Sequence, residues 1–75
     1  MAELVRFIAR SLVDNADAVD VREVEGPDAT VIELRVAPED MGKVIGKQGR
    51  IAKAIRAVVR AATAKNAKPV FVEIQ

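Results

Sequence analysis

Residues 44–51, Val-Ile-Gly-Lys-Gln-Gly-Arg-Ile, constrain this chain more than any other stretch. Gly46 and Gly49 bracket a two-residue tip, with a β-branched pair before it and a helical apolar pattern after it. Glycine reaches backbone angles closed to other residues and carries no Cβ to obstruct a ligand. A polar, cationic tip between two helices can therefore bring its own backbone close to a phosphate-sugar chain. The bland alternative is a helix C-cap and a turn, the usual meaning of glycine after a helix. The flanks favour the ligand-facing reading. Ile45 precedes the first glycine, Arg50 and Ile51 follow the second, and strand-like segments lie on both outer sides. A Walker-type phosphate loop does not fit: Gly42 and Gly46-Lys47 are one residue too close together, and Gln48 stands where Ser or Thr would bind magnesium.

Charge distribution points the same way. The net charge is only +1. Yet Lys43, Lys47, Arg50, Lys53, Arg56, Arg60, Lys65 and Lys68 all fall within residues 41–68, with no acid among them. Residues 1–40 hold four Arg against ten acidic side chains. Such a molecule presents one basic surface to a polyanion and an acidic one away from it. A solubilised helix is the ordinary meaning of mixed charges, but this block is unmixed.

With 75 residues, the expectation is a single domain over residues 1–75, near the lower size for a core without staples. Hydrophobic residues make up 51% of it, mostly Ala, Val, Ile and Leu, which is enough for a core. Cysteine is absent, which removes a disulfide framework and a thiolate metal site. Histidine is absent too, and with it the commonest general base and transition-metal ligand. No cofactor is expected. Met1-Ala2-Glu3 runs straight into an amphipathic pattern without the regions of a signal peptide, and no apolar run approaches membrane-spanning length. The expected setting is the cytoplasm.

Leu4, Val5, Ile8 and Leu12, with Phe7 at the edge of the stripe, predict a helix over residues 2–14. Val19 to Val24 reads as a strand whose alternation slips, which suggests a bulge or a half-exposed edge. After a turn at Glu25-Gly26-Pro27-Asp28, Thr30, Ile32, Leu34 and Val36 mark a one-face strand. Pro38 opens a short helix carrying Glu39 and Asp40 and ending at Gly46. Ile51, Ile55, Val58, Val59 and Ala62 predict a helix to about residue 65, and Val70, Val72 and Ile74 a last strand. The order is α-β-β-α-α-β. A hairpin joins the first two strands, and a right-handed two-helix crossover returns the third parallel to the second.

Order, length and the V-I-G-K-x-G-R-I stretch resemble a minimal type II KH domain: an α+β fold, a three-stranded mixed sheet with helices on one face. The helix-first start and Ser11-Leu12-Val13-Asp14-Asn15 are similar to the small stand-alone bacterial KH proteins of the KhpA (YlqC) family. The resemblance implies a non-enzymatic single-stranded RNA-binding protein, acting as an RNA chaperone or post-transcriptional regulator. Gly46, Lys47, Gln48 and Gly49 would clamp about four nucleotides. Amides at the start of the helix near Arg50 are natural donors to a phosphate oxygen, Lys47 adds a mobile charge and Arg50 a forked contact. Lys43 and Lys53 extend the basic surface, while Val44, Ile45 and parts of the Val31–Val36 strand supply an apolar floor. For Ile45 and Ile51, ordinary core packing competes with that role.

Aromatic residues number only Phe7 and Phe71, so stacking worth ~1–3 kcal/mol per base is scarce. A single module should bind weakly, and useful affinity then needs a second one. The resemblance supplies two candidates, a homodimer or a heterodimer with a Jag-type (KhpB/EloR) KH protein. Two other classes compete. A pure protein-interaction module would carry acidic residues at the loop tip, against Lys47-Gln48. An enzyme built on Glu39 and Asp40 fails because adjacent helical positions do not face each other.

Overall fold

The computed structural model describes residues 1–75 as α1 (Ala2–Leu12), β1 (Asp20–Glu25), β2 (Thr30–Arg35), α2 (Met41–Ile45), α3 (Arg50–Ala62) and β3 (Val70–Ile74). Single 3-10 turns at Ala16–Ala18, Pro38–Asp40 and Lys47–Gly49 link them. In α1, Val5 and Ala9 lie about one turn apart and are fully buried. Glu3 in the first turn and Arg10 in the last complement the helix dipole. Arg6 pairs with Glu3 one turn away. Phe7 is 71% exposed and Leu12 36%, so the buried stripe is narrower than the sequence suggests. The helix stops at Leu12, short of residue 14, because Val13 turns extended (φ −93°, ψ 160°) and the next two amides leave for another partner.

β1 and β2 pair antiparallel from Asp20↔Arg35 to Glu25↔Thr30 without interruption. The slip at Val21 and Val24 therefore marks an exposed edge strand, not a bulge: Val21 is buried and Val24 is 47% exposed on the other face. The Gly26 amide donates to Ala29 O at 2.8 Å and closes the hairpin. β3 runs parallel to β2, from Thr30↔Val70 to Leu34↔Ile74, as the crossover requires. The strand order is β1-β2-β3, so β2 is central and β3 is an edge.

Thr30, Ile32, Leu34 and Val72 turn one face of the sheet towards α1 and α3. With Val5, Ala9, Val21, Val36, Val44, Ile55 and Val59 they enclose the core. α3 is rotated so that Ala52, Ile55 and Val59 are buried, while Val58 stays 45% exposed. It ends at Ala62, where Thr63 turns extended and its hydroxyl donates to Val59 O at 2.7 Å. On the open sheet face Val24, Val31 and Phe71 lie in register across all three strands.

Candidate nucleic-acid interface

α2 has only five residues and delivers the chain directly into the glycine loop. The Gly46 amide closes the helix on Gly42 O at 2.9 Å, and the Gly49 amide returns to Gly46 O at 3.1 Å. Three of the four loop residues have positive φ: Gly46 (76°), Gln48 (58°) and Gly49 (74°). A Cβ at Gly46 would stand 2.6 Å from Ile51 Cγ1 and 2.9 Å from Ile51 N, so the loop is seated on the half-buried Ile51. A Cβ at Gly49 would meet open space, and only its left-handed backbone calls for glycine there. The tip side chains of Lys47 and Gln48 are exposed. The Arg50 amide donates to Lys47 O, so it is not the free donor that a helix start suggests.

Arg50 and Lys53 are exposed on α3, next to the tip, and Ile45 is half-buried below it. Val44 lies elsewhere: it is fully buried in the core and has no surface to offer a base. Lys43 is also drawn away from the loop, donating to Asp14 Oδ2 at 3.0 Å and Asp40 Oδ1 at 3.1 Å. Lys68 pairs with Glu25 at 3.0 Å across the hairpin turn. The basic block thus divides into two cations that join parts of the fold and six that enter no ion pair: Lys47, Arg50, Lys53, Arg56, Arg60 and Lys65.

The strand with a free edge beside α3 is β3, while the Val31–Val36 segment contains the central strand β2. β2 is hydrogen-bonded on both sides and shielded, whereas β3 exposes its outer edge beside α3. Between the C-terminal half of α3 and the start of β3 runs a groove of about 520 Å³, lined by Arg56, Arg60, Lys65, Pro69, Val70, Phe71 and Val72 among others. Arg56 Nε donates to Val72 O at 3.2 Å and ties the two walls together. Sequence reasoning missed this groove, although the parallel return of β3 was enough to place that strand at the edge of the sheet.

It also missed Asp40. Its carboxylate is fully buried and accepts the Asn15 amide at 3.0 Å, the Asp14 amide at 3.3 Å and Lys43 Nζ. The Asn15 amide bond does most to hold its pKa below the usual carboxylate range; burial opposes this, and Lys43 and the Asp14 amide reinforce it. Lys43 is held above the usual lysine range by its bond to Asp14 first and to Asp40 second.

The family described as KhpA/KhpB, KH domain, matches residues 2–74. An RNA-binding protein KhpA of Caldanaerobacter subterraneus subsp. tengcongensis is 65% identical over 74 residues, 99% of each chain. The RNA-binding protein KhpA of Clostridium perfringens is 64% identical over 99% of each chain, and that of Aquifex aeolicus 51% identical over 99% of this chain and 94% of its own. Among solved structures, Era of Aquifex aeolicus bound to GDP.AlF4- superposes with a TM-score of 0.65 and 27% identity, over 97% of this chain and 28% of Era. Era in complex with MgGDPNP and nucleotides 1506–1542 of 16S ribosomal RNA gives 0.59 and 26%, again over 97% of this chain and 28% of the other. The likeness is thus to one part of a longer protein.

Proposed function

The chain belongs to the KhpA/KhpB KH-domain family, and from that premise we propose that it binds single-stranded RNA without catalysing a reaction, closing the Gly46–Gly49 loop on the backbone of about four nucleotides. The carrying observation is the loop itself: an exposed Lys47-Gln48 tip on a tightly turned backbone, with six cations outside any ion pair following along the chain. Lys47 and Arg50 meet phosphates at the tip, and Lys53 continues the track. Gly46 and Gly49 keep the tip backbone bare, and Ile45 lies beneath it. The groove between α3 and the β3 edge receives the bases. Relatives named RNA-binding proteins over the full length of this chain support the ligand class.

A role as RNA chaperone or post-transcriptional regulator follows from weak, sequence-tolerant binding, since Phe71 is the only aromatic lining the groove. Pairing would raise that affinity by bringing two loops to one strand. The family description couples KhpA with KhpB, which supports self-association or pairing with a Jag-type KH protein. Exposed Val24 beside half-buried Val31 on the open sheet face is apolar surface that supports such a contact.

Replacing both Lys47 and Gln48 with Asp places two carboxylates at the tip without touching the core. The expected result is loss of gel-shift binding to single-stranded RNA with an unchanged circular dichroism spectrum. A folded double variant that keeps its RNA affinity would sink the clamp.

A further inference from the structure

Asp40 occupies the N-cap position of α2, where an aspartate ordinarily accepts an amide of its own helix. It does not do so here. No side-chain cap bond forms, and the carboxylate turns instead to the chain reversal after α1. There it accepts the Asn15 amide at 3.0 Å on one oxygen, and the Asp14 amide at 3.3 Å and Lys43 Nζ at 3.1 Å on the other. The residue is 0% exposed. A buried carboxylate without such partners is strongly unfavourable, so the three donors and the acid hold one another in place.

The geometry matters because of what α2 carries. Five residues are too few for a helix to persist on its own propensity. Its only fully buried side chain is Val44, since Gly42 and Lys43 are exposed and Met41 and Ile45 half-buried. Met41, Val44 and Ile45 seat one side of this short rod on the core, and a polar tie at its start is what fixes its tilt on that seat. The loop begins at the C-terminal end of that rod, where a Cβ added at Gly46 would overlap Ile51. Asp40 fixes the other end of the rod to the chain reversal after α1. Clamping sites need their groups held within about 0.5 Å of the working geometry.

We propose that Asp40 is a positioning residue for the glycine loop: by tying the N-terminus of α2 to the Asp14 and Asn15 amides, it sets the height and tilt at which Lys47 and Gln48 meet RNA. This rests on the clamp reading of the loop. Asp40 touches no ligand itself, and its influence passes through α2.

Asp40→Asn keeps the shape of the side chain but removes its charge. The variant is compared with wild type and with the Lys47→Asp/Gln48→Asp double variant, at a temperature where circular dichroism shows each folded. Affinity for a single-stranded RNA should fall about fivefold or more, at the lower end of typical coupling between two sites. Amide resonances of Gly46 and Gly49 should move, while Thr63 at the far end of α3 stays in place. A merely stabilising residue would not shift the loop in a folded chain. Should Asp40→Asn fail to fold, Lys43→Met strips one of the three partners and should move the same two glycine resonances by less. Loop resonances that stay put overturn the proposal. So does a shift without loss of RNA affinity, provided the double variant has lost it. If the double variant still binds RNA, the clamp reading itself has failed, and moved glycine resonances in Asp40→Asn would still establish the mount.

Discussion

At the scale of single residues, three glycines within eight positions face three different demands. Gly46 needs both its positive φ and its missing Cβ, because Ile51 stands 2.6 Å from where that atom would be. Gly49 needs only the φ of +74°. Gly42 needs neither: it is an exposed helical position, and a methyl group there would find nothing within 4 Å. Gly46→Ala should therefore cost more than about 2 kcal/mol, combining strain with overlap. Gly49→Ala should cost about 1–2 kcal/mol through backbone strain alone. Gly42→Ala should stabilise by about 0.4–1 kcal/mol, since alanine narrows the unfolded ensemble at no cost to the fold. Urea titrations of the three variants give the order directly, and equal losses at positions 42 and 46 would contradict the packing under the loop. The V-I-G-K-Q-G-R-I stretch announced the loop; it could not announce that Ile51 is its seat, because that contact depends on the turn between α2 and α3.

At the scale of elements, the junction of α1 with α2 is held by groups whose protonation differs between folded and unfolded chains. Asp40 has a lowered pKa when folded, so the native state binds fewer protons there than the unfolded state does. Its contribution is complete above the unfolded carboxylate value near ~3.9 and drains as pH falls through the lower folded value. Lys43 works in the opposite sense: raised in the fold, it contributes fully below its unfolded value and loses that contribution as pH climbs through the folded one. Thermal melts below about pH 4 should therefore fall steeply for wild type and more gently for Asp40→Asn, whose midpoint starts lower. Parallel acid limbs in the two proteins would remove Asp40 from the junction. Glu39 and Asp40 read alike in sequence, as helix-start acids. Only the reversal after α1, which brings Asp14 and Asn15 across 26 and 25 positions of chain, separates the buried one from the exposed one. Strand order was legible for a contrasting reason. A hairpin and a right-handed crossover leave few choices, and β1-β2-β3 follows from them. Helix ends were less legible, because Val13 and Thr63 leave their helices through contacts made by other segments or by a hydroxyl.

At the scale of the whole molecule, an almost neutral chain is strongly divided. Ten acids lie in residues 1–40 and none in residues 41–68. The fold subtracts Lys43 and Lys68 from the basic side by pairing each with an acid, and leaves Lys47, Arg50, Lys53, Arg56, Arg60 and Lys65 for an outside anion. A short loop, one helix and one strand edge can place three or four of these on successive phosphates. Each phosphate neutralised on a single strand contributes ~0.7 to the salt dependence, so log affinity against log salt should fall with a slope of about −2 to −3. A flat line would move the binding surface away from α3. Charge alone would also attract a duplex, and there the groove makes the difference. Built from one helix and one strand edge, a groove of about 520 Å³ is too narrow to admit a double helix. Val70 and Phe71 in its lining offer apolar contact only to unstacked bases, which a duplex keeps paired. Excess unlabelled duplex should therefore displace a labelled single strand poorly at moderate salt, and equal competition by the two would reduce the interface to a patch of charge.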